Sequence, residues 1–230
     1  MKLSIIIPVF NEKNTISKIL DKVKSINLNQ VITKEIIIVD DCSTDGTKEF
    51  LKELEIKENK HLKINYSNNN EGKGASIRKG LLKVTGDIVL IQDADLEYDP
   101  NDYNKLLHPI LNNEADVVYG SRFAGAGSTR VLFFWHRIAN GLLTLLSNMK
   151  SNLNLTDMEC GYKVFKTSAI KSVNLKENRF GFEPEVTIKL AKKGFIFYEV
   201  GISYHGRNYD QGKKIGIKDA FSALYCILRY

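Results

Sequence analysis

The chain has 230 residues, of which 43% are hydrophobic and 26% are charged. This composition is typical of folded globular proteins and excludes disordered and fibrous ones, and the length suits one α/β domain. The formal net charge of +6 is compatible with a solvated surface, an anionic substrate or an anionic membrane, and we expect no nucleic-acid partner. The three cysteines are far apart and form no disulfide framework or metal-ligand spacing, so we expect reduced thiols in a cytoplasmic protein.

The first half of the chain alternates short β-branched segments with longer helical patterns. Strands are predicted at Leu3–Val9, Glu35–Val39, Leu62–Tyr66, Asp87–Ile91 and Asp116–Tyr119. Helices are predicted at Glu12–Ser25, Asp45–Lys57, Gly74–Lys83 and Pro100–Asn112, the last with Asp99 as its N-cap. Because the strands are hydrophobic almost throughout, we expect burial on both faces and a doubly wound, mostly parallel α/β sheet.

The pattern changes after Tyr119, where a loop rich in glycine and serine is predicted for residues 120–130. Further elements are predicted as a helix at Val131–Met149, a strand at Tyr162–Lys166, a helix at Pro184–Lys193, a strand at Phe195–Gly201 and a helix from Ile217. No window reaches the roughly 18 uninterrupted apolar residues that a membrane span requires. The apolar N-terminal run ends at Pro8 without a cleavage site, so we interpret it as a buried strand and not as a signal peptide.

Acidic residues follow three of the predicted strands: Glu12 after the first, Asp40 and Asp41 after the second, and residues 93–97 after the fourth. Ligands of open α/β sheets bind beyond the carboxyl ends of the strands, where these side chains are expected to meet. Acidic groups gathered at one edge of the sheet in a basic protein therefore indicate a binding site.

Asp93, Ala94 and Asp95 give the strongest local signal, because they directly follow the apolar residues 88–91. In extended backbone, residues two apart share a face, so Asp93 and Asp95 can approach one cation, and Glu97 adds a third oxygen if the chain stays extended. Carboxylates together with substrate phosphates are the usual ligands of Mg²⁺. The segment predicts a site for Mg²⁺ or Mn²⁺, with a solvated acidic turn as the alternative.

Two further turns have both structural and functional interpretations. After the second strand, Asp45 or Thr44 is expected to cap the next helix, whereas Asp41 suits contact with a nucleobase or ribose hydroxyls. Residues 70–75, with the sequence Asn-Glu-Gly-Lys-Gly-Ala, lack the full dinucleotide-binding or P-loop pattern. We interpret them as a helix-entry turn near the binding site.

Isolated basic residues occur in the second half of the chain. Arg122 and Arg207 each lie near glycine after a strand or in a loop, which favours them as ligand groups because a guanidinium matches phosphate oxygens bidentately. For Arg130, Arg137 and the pair Lys213–Lys214, a solvated surface is the simpler interpretation.

Three segments together, residues 4–12, 39–47 and 92–97, resemble family 2 glycosyltransferases, whose members have the A-type glycosyltransferase fold. Four further segments resemble one branch of this family, the dolichol-phosphate mannosyltransferases and polyprenyl-phosphate glycosyltransferases. These segments are residues 72–75, 120–123, 160–165 and 182–183. The resemblance implies inverting, metal-dependent transfer of a sugar from a nucleotide-sugar, GDP-mannose or a UDP-hexose, to a polyprenyl or dolichyl phosphate. It also implies a single catalytic domain, with residues 1–119 binding the nucleotide-sugar and residues 120–230 serving the acceptor.

The resemblance also assigns roles to individual residues. The nucleoside would be held by Pro8, Phe10, Glu12, Val39 and Asp41, and the rest of the donor would contact Asp93, Ala94 and Asp95. The metal ion, Mg²⁺ or Mn²⁺, would bind Asp93, Asp95 and Glu97. Arg122 would bind the acceptor phosphate, while Arg207 and Lys213 would close over the donor diphosphate, so the expected catalytic residues are Asp95, Arg122 and Arg207. The chain departs from the family at Phe10, where Tyr is frequent, and at Glu97, where Gln is common.

The aromatic and basic residues of 130–137 suit either peripheral contact with the cytoplasmic membrane face or a core helix. Three alternative functions remain at this point: transfer to a glycan hydroxyl, nucleotidyl transfer, and non-enzymatic binding by a module related to such enzymes. A lipid phosphate is already anionic and needs positioning more than deprotonation, and no residue of the sequence is an obvious lone catalytic base.

Overall fold

The structure is a computed structural model that describes residues 1–29, 32–58, 62–125, 130, 133–207 and 217–230. Within these ranges seven strands form one sheet in the order β3-β2-β1-β4-β6-β5-β7. The strands are β1 Lys2–Val9, β2 Thr33–Asp40, β3 Leu62–Tyr66, β4 Ile88–Ile91, β5 Val117–Ser121, β6 Lys163–Lys166 and β7 Phe197–Gly201. Only β6 runs antiparallel to its neighbours among these strands, so the expected mostly parallel α/β sheet is confirmed.

Helices cover both faces of the sheet. In the described residues they are α1 Ile16–Ser25, α2 Thr47–Lys57, α3 Lys73–Leu81, α4 Tyr103–Leu111, α5 Phe134–Ser151, α6 Thr167–Lys171, α7 Phe182–Lys192 and α8 Ile217–Arg229. Helices α1, α2 and α4 pack on one face, and α3, α5, α6, α7 and α8 pack on the other. None of these helices is long and apolar enough to cross a membrane.

The hydrophobic runs of the sequence reflect this burial on two faces. Ile5 and Ile7 of β1 enter the core under α1, whereas the intervening Ile6 enters the core under α3, and all three are fully buried. A Cβ atom on Gly80 would lie 2.6 Å from Cγ2 of Ile6, so α3 rests directly on the sheet. Alternate residues of β1 thus pack into two cores, which explains why no polar residue occurs from Ile5 to Val9.

The strand register brings the predicted site segments to one edge. Val9 pairs with Asp40 and Ile6 pairs with Ile91, so β1, β2 and β4 end close together. Because β6 runs in the opposite direction, its first residue, Lys163, lies at this edge, opposite Ile91 of β4. The segments that follow β1, β2, β4, β5 and β7 therefore share this edge with the segment that precedes β6.

The predicted cap at Asp99 is confirmed, whereas the N-cap position before α2 is Gly46, one residue after the predicted Asp45. Asp99 Oδ1 accepts a hydrogen bond of 3.1 Å from the Asn101 amide at a short 3₁₀ turn, Pro100–Asp102, that precedes α4. Asp45 Oδ1 accepts a hydrogen bond of 3.0 Å from the Thr47 amide at the start of α2. Such side-chain acceptors satisfy amides that have no partner within the helix.

Candidate active site

Each of β1, β2 and β4 is followed by a non-glycine residue in the left-handed region: Asn11 at φ 52°, Cys42 at φ 65° and Leu96 at φ 63°. This conformation costs roughly 1–2 kcal/mol for an L-residue. Part of the cost is offset at Asn11, whose Oδ1 accepts a hydrogen bond of 2.8 Å from the Thr44 amide. Three strained residues at adjacent strand ends indicate a functional edge, because such strain persists where the surrounding structure enforces it.

The acidic segment after β4 forms a turn across residues 94–97. The backbone from Asp93 to Glu97 is therefore not extended, which was the condition for these carboxylates to share a face. Leu96 reverses the chain, and the Glu97 amide donates a hydrogen bond of 3.1 Å to Asp95 Oδ1. Asp93 and Asp95 are each paired with a different basic side chain, and the negative charge of Asp93 still acts on Asp95.

Arg207 connects the carboxylates of Glu12, Asp95 and Glu97. Its Nη2 lies 3.0 Å from Asp95 Oδ2, its Nη1 lies 3.4 Å from Glu12 Oε1, and its Nε lies 3.4 Å from Glu97 Oε1. The Arg207 amide also donates a hydrogen bond of 2.9 Å to Glu97 Oε1. One guanidinium therefore neutralises acidic groups from the ends of two different strands.

Asp95 lies in a buried and strongly acidic environment. Burial, followed by the negative charges of Asp93 and Glu97, raises the pKa of Asp95 to about 7, although Arg207 acts in the opposite direction. Burial would lower the pKa of the Arg207 guanidinium, but Asp95, Glu12 and Glu97 together raise it. The negative charges of Asp93, Asp95 and Glu97 are thus only partly balanced by Arg207, and a further cation would be stabilised beside them.

Asp93 is paired with Lys73 at the start of α3. Lys73 Nζ lies 2.9 Å from Asp93 Oδ1 and 3.3 Å from Glu183 Oε1 of α7. Burial would lower the pKa of Lys73, but Asp93 and Glu183 raise it well above its usual range. The backbone of Gly161 closes the other side, since a Cβ atom there would lie 2.1 Å from Asp93 Oδ2. The carboxylate of Asp93 is therefore held between the Lys73 ammonium and the backbone of Gly161, where there is no side chain.

Arg122, the predicted acceptor-phosphate ligand, forms a bidentate pair with Asp157. Nε and Nη2 of Arg122 each lie 2.6 Å from an oxygen of Asp157, whose side chain is fully buried. Nη2 also donates a hydrogen bond of 3.1 Å to Asn140 Oδ1 of α5. Burial would lower the pKa of Arg122, but Asp157 raises it well above its ordinary value. Arg122 is thus held in place at the point where α5 meets the sheet edge.

The residues predicted to hold the nucleoside differ in accessibility. Pro8 and Phe10 are partly exposed at the edge, whereas Val39 and Ala94 are buried, so a ligand would not reach their side chains in this arrangement. Asp41 is also buried, and its two oxygens accept hydrogen bonds from the amides of Glu71 and Gly72, at 3.0 and 2.6 Å. Asp41 therefore secures the helix-entry turn before α3, and its contact with a nucleoside stays a prediction.

Some predicted residues lie outside the described part of the chain. They are Lys213, the expected ligand of the donor diphosphate, its neighbour Lys214, and Val131 and Leu132 of the amphipathic segment.

Four residues of this edge were not assigned roles from the sequence: Lys73, Asp157, Gly161 and Glu183. Lys73, Gly161 and Glu183 belong to segments that carry the family resemblance, but nothing local indicates which charges they meet. Asp157 lies outside those segments, and a pattern-based search has no signal for it. Its partner, Arg122, is 35 residues away in the sequence.

The described residues contain no group of three or more His, Cys, Asp or Glu side chains arranged as metal ligands. At Asp95 and Glu97 the oxygens face Arg207 and Tyr204, whose hydroxyl lies 2.9 Å from Glu97 Oε2. These are nevertheless hard oxygen donors in a region of excess negative charge, which is the donor chemistry that Mg²⁺ and Mn²⁺ prefer. The residues present therefore fit a divalent cation, provided that Arg207 moves.

Comparison with known proteins identifies similar sequences. The model of the family described as glycosyl transferase family 2 matches residues 4–173. A dodecaprenyl-phosphate galacturonate synthase of Rhizobium johnstonii is 25% identical over 228 residues, which cover 99% of this chain and 66% of the relative. A dolichol-phosphate mannosyltransferase of Pyrococcus furiosus is 26% identical over 219 residues, which cover 94% of this chain and 61% of the relative. The chain thus spans about two thirds or less of the length of these two relatives.

A solved structure confirms the expected A-type glycosyltransferase fold. Glucosyl-3-phosphoglycerate synthase of Mycobacterium tuberculosis, crystallised with Mn²⁺, uridine diphosphate and phosphoglyceric acid, superposes with a TM-score of 0.74. The match covers 99% of this chain and 78% of that structure at 17% sequence identity. At this identity the likeness concerns the fold alone.

Proposed function

The chain belongs to glycosyl transferase family 2 and is a glycosyltransferase, and on this premise we propose that it transfers a sugar from a nucleotide-sugar to a polyprenyl phosphate with inversion at the anomeric carbon. The observation that carries the proposal is that two arginines, each bound to one or more carboxylates, lie at the same edge of the sheet. Arg207 lies among the acids of the donor side, and Arg122 lies beside α5 on the other side. The two relatives, named for polyprenyl-phosphate products or acceptors, support the same acceptor class.

On the donor side, Asp95 and Glu97, with Asp93 nearby, would hold Mg²⁺ or Mn²⁺. The cation would stabilise negative charge on the departing nucleoside diphosphate, as Lewis acids do in phosphoryl and glycosyl transfer. The Mycobacterium tuberculosis enzyme of the same fold was crystallised with Mn²⁺ and uridine diphosphate, which supports the use of a divalent cation but not the choice of residues. Arg207 provides a second positive group for the diphosphate, and Lys73 holds Asp93 in position.

On the acceptor side, Arg122 is the group that would bind the lipid phosphate. Asp157 and Asn140 fix its guanidinium, and Tyr204 lies under it, with the Arg122 Cζ atom 5.3 Å from the centre of the Tyr204 ring. A guanidinium that is already oriented loses little side-chain entropy when a phosphate binds. We therefore assign Arg122 to orienting the acceptor oxygen toward the sugar.

The charge state of the acceptor removes the need for a strong base. A phosphate monoester is ionised near neutral pH, so its oxygen can attack without losing a proton to the protein. The carboxylates of this edge are consistent with that requirement, because Asp93, Asp95 and Asp157 are each paired with a basic side chain. In an inverting reaction the phosphate oxygen bonds to C1 as the bond from C1 to the diphosphate breaks on the opposite face.

The route of the lipid is indicated by apolar side chains on α5 and α8, two helices that pack against each other. Exposed apolar residues of α5 are Phe134, Trp135, Ile138, Leu142, Leu145 and Met149, and those of α8 are Phe221, Tyr225 and Leu228. Exposed apolar stripes on surface helices beside basic residues are typical of contact with the membrane interface. We propose that this apolar face rests on the membrane and that the lipid phosphate reaches Arg122 along α5, which contacts Arg122 through Asn140.

A direct assay tests the proposed function. The protein is incubated with Mn²⁺, a polyprenyl phosphate and a panel of labelled nucleotide-sugars that includes GDP-mannose and UDP-hexoses, and label is then measured in the organic phase. We expect an acid-labile glycolipid from at least one donor. We also expect that Asp95→Asn, which removes a metal-binding charge, lowers the rate by two or more orders of magnitude, as is typical for losing electrostatic stabilisation of the transition state.

The same assay distinguishes the alternatives. Label that appears only in water-soluble glycan would contradict the lipid acceptor, and release of pyrophosphate from a nucleoside triphosphate would indicate a nucleotidyltransferase. Full activity of Asp95→Asn in the presence of Mn²⁺ would contradict the metal assignment while leaving the acceptor assignment intact.

A further inference from the structure

The guanidinium of Arg207 occupies the oxygens that a divalent cation would need. Asp95 Oδ2 accepts from Arg207 Nη2 at 3.0 Å, and Glu97 Oε1 accepts from Arg207 Nε at 3.4 Å and from the Arg207 amide at 2.9 Å. The remaining oxygens of the two carboxylates also have donors, because the Glu97 amide binds Asp95 Oδ1 and the Tyr204 hydroxyl binds Glu97 Oε2. All four carboxylate oxygens are therefore hydrogen-bonded within the protein.

These contacts are well shielded from solvent. The side chains of Arg207 and Asp95 are each 19% exposed, and that of Glu97 is 12% exposed. Screening by water and salt is weak for such partly buried pairs, so one positive group at this position strongly disfavours another. A divalent cation that binds Oδ2 of Asp95 would compete with Arg207 Nη2, which already lies 3.0 Å from that oxygen.

We infer that the Arg207 side chain competes with the divalent cation for the carboxylates of Asp95 and Glu97. Arg207 occupies these carboxylates until a nucleoside diphosphate draws its guanidinium away. The inference rests on the proposed donor site and adds an order of events to it. The cation alone must displace Arg207 and binds weakly. A diphosphate brings negative charge for both positive groups, so that Arg207 moves to the phosphates and the cation takes the carboxylates.

Glu12 gives this exchange a direction. Its carboxylate lies 3.4 Å from Arg207 Nη1 and comes from the end of β1, whereas Asp95 and Glu97 follow β4. Arg207 therefore keeps one acidic neighbour outside the β4 turn when it leaves Asp95 and Glu97. Lys73 is different, because it is held between Asp93 and the fully buried helix residue Glu183, and we expect it to stay in place.

Binding of Mn²⁺ itself provides the test, measured by electron paramagnetic resonance of the free ion in a titration without nucleotide. Arg207→Ala is expected to bind Mn²⁺ about tenfold more tightly than the wild-type protein, within the 5- to 150-fold range of typical coupling between sites. Arg207→Lys, which keeps the charge but loses the planar fork, is expected to fall between the two. In the presence of UDP or GDP, the advantage of Arg207→Ala should disappear or reverse.

A matched control separates local competition from bulk charge. Arg229→Ala removes the same charge from an arginine that is 47% exposed and paired with Glu177, far along the chain in α8, and it should leave Mn²⁺ affinity unchanged. An equal gain in Arg229→Ala, or equal or weaker binding by Arg207→Ala without nucleotide, would overturn the inference. Absence of Mn²⁺ binding by every variant, with and without nucleotide, would contradict the proposed metal site itself and this inference with it.

Discussion

Gly161 has no side chain, and the space this leaves is taken by the carboxylate of Asp93. The Gly161 amide donates a hydrogen bond of 3.0 Å to the Tyr98 hydroxyl, which fixes the backbone beside Asp93. A methyl group at this position would overlap Asp93 Oδ2, at a separation of 2.1 Å. Because the surrounding backbone is anchored, the carboxylate of Asp93 would have to move away from Lys73.

We therefore expect Gly161→Ala to lower kcat/KM by about 100-fold, the effect of misplacing a catalytic group by about 1 Å. The measurement is the glycolipid assay, with thermal unfolding to show that the variant is folded. Gly141→Ala is the matched control, because a Cβ atom there would have no neighbour within 4 Å. Equal activity of the two variants would show that the position of Asp93 does not limit the reaction.

Arg122 provides the second prediction at the residue scale. Arg122→Lys keeps a positive charge beside Asp157 but loses the fork that is bonded to both of its oxygens. We expect kcat/KM for the polyprenyl phosphate to fall by about 10- to 100-fold, corresponding to about 1.4–2.7 kcal/mol of lost transition-state binding. The affinity for the nucleoside diphosphate, measured by calorimetry, should stay within about twofold of wild type. An equal loss in both measurements would argue against an acceptor role.

At the scale of elements, Glu35 joins three strands to the segment before β4. Its carboxylate binds Lys2 of β1 and Lys63 of β3, each at 2.9 Å, and accepts a hydrogen bond of 2.7 Å from the Thr85 amide. Burial is the largest single influence and would raise the pKa of Glu35, but hydrogen bonds, including one from Ser4, together hold the pKa well below its usual range. Glu35 thus stabilises the edge opposite the site.

A lowered pKa makes this contribution depend on pH. The stabilisation is fully present above the ordinary pKa of glutamate, about 4.3, and is lost as the pH falls toward the lower folded-state value. Glu35→Gln should lower the free energy of unfolding by about 1–2 kcal/mol at pH 7. The difference from wild type should shrink below about pH 4, as measured by urea unfolding. Glu53→Gln, an exposed position on α2, is the control and should show no such difference.

At the scale of the whole molecule, we propose that the apolar face of α5 and α8 brings the protein to the membrane that holds its lipid acceptor. Trp135 is 75% exposed and Phe134 is 65% exposed, near the end of α5 that carries Arg137. The Arg137 guanidinium lies over the ring of Phe123, one residue after Arg122, so the face leads toward the acceptor group. Apolar side chains and nearby positive charge together favour an anionic membrane surface.

We expect the double variant of Phe134→Ser and Trp135→Ser to bind vesicles of phosphatidylglycerol at least about tenfold more weakly than wild type, since each buried aromatic side chain contributes about 1.5–3 kcal/mol. Sedimentation of vesicles with bound protein provides the measurement. Ile56→Ser with Leu82→Ser is the control, because these side chains are 81% and 85% exposed but lie on α2 and just after α3. Equal binding by both double variants would contradict membrane contact through α5.

Much of the fold could be read from the sequence because its strands are buried on both faces. Residues 5–9 and 88–91 carry no polar side chain, so the strands stand out as apolar runs, and a parallel sheet then requires their carboxyl ends to share an edge. The acidic residues at those ends were found for the same reason. The turn at Leu96 could not be read, because a left-handed leucine has no local signature and is enforced by its surroundings.

The sequence by itself determined that a chain of this pattern builds a doubly wound sheet with carboxylates at one edge, because hydrophobic periodicity and strand ends are local properties. Only the tertiary structure decided which acidic side chain pairs with which basic side chain. Lys73 meets Asp93 across 20 residues, Arg122 meets Asp157 across 35, and Arg207 meets Asp95 across 112. Pairings over such separations depend on strand order and on the antiparallel insertion of β6, which no window of the sequence contains.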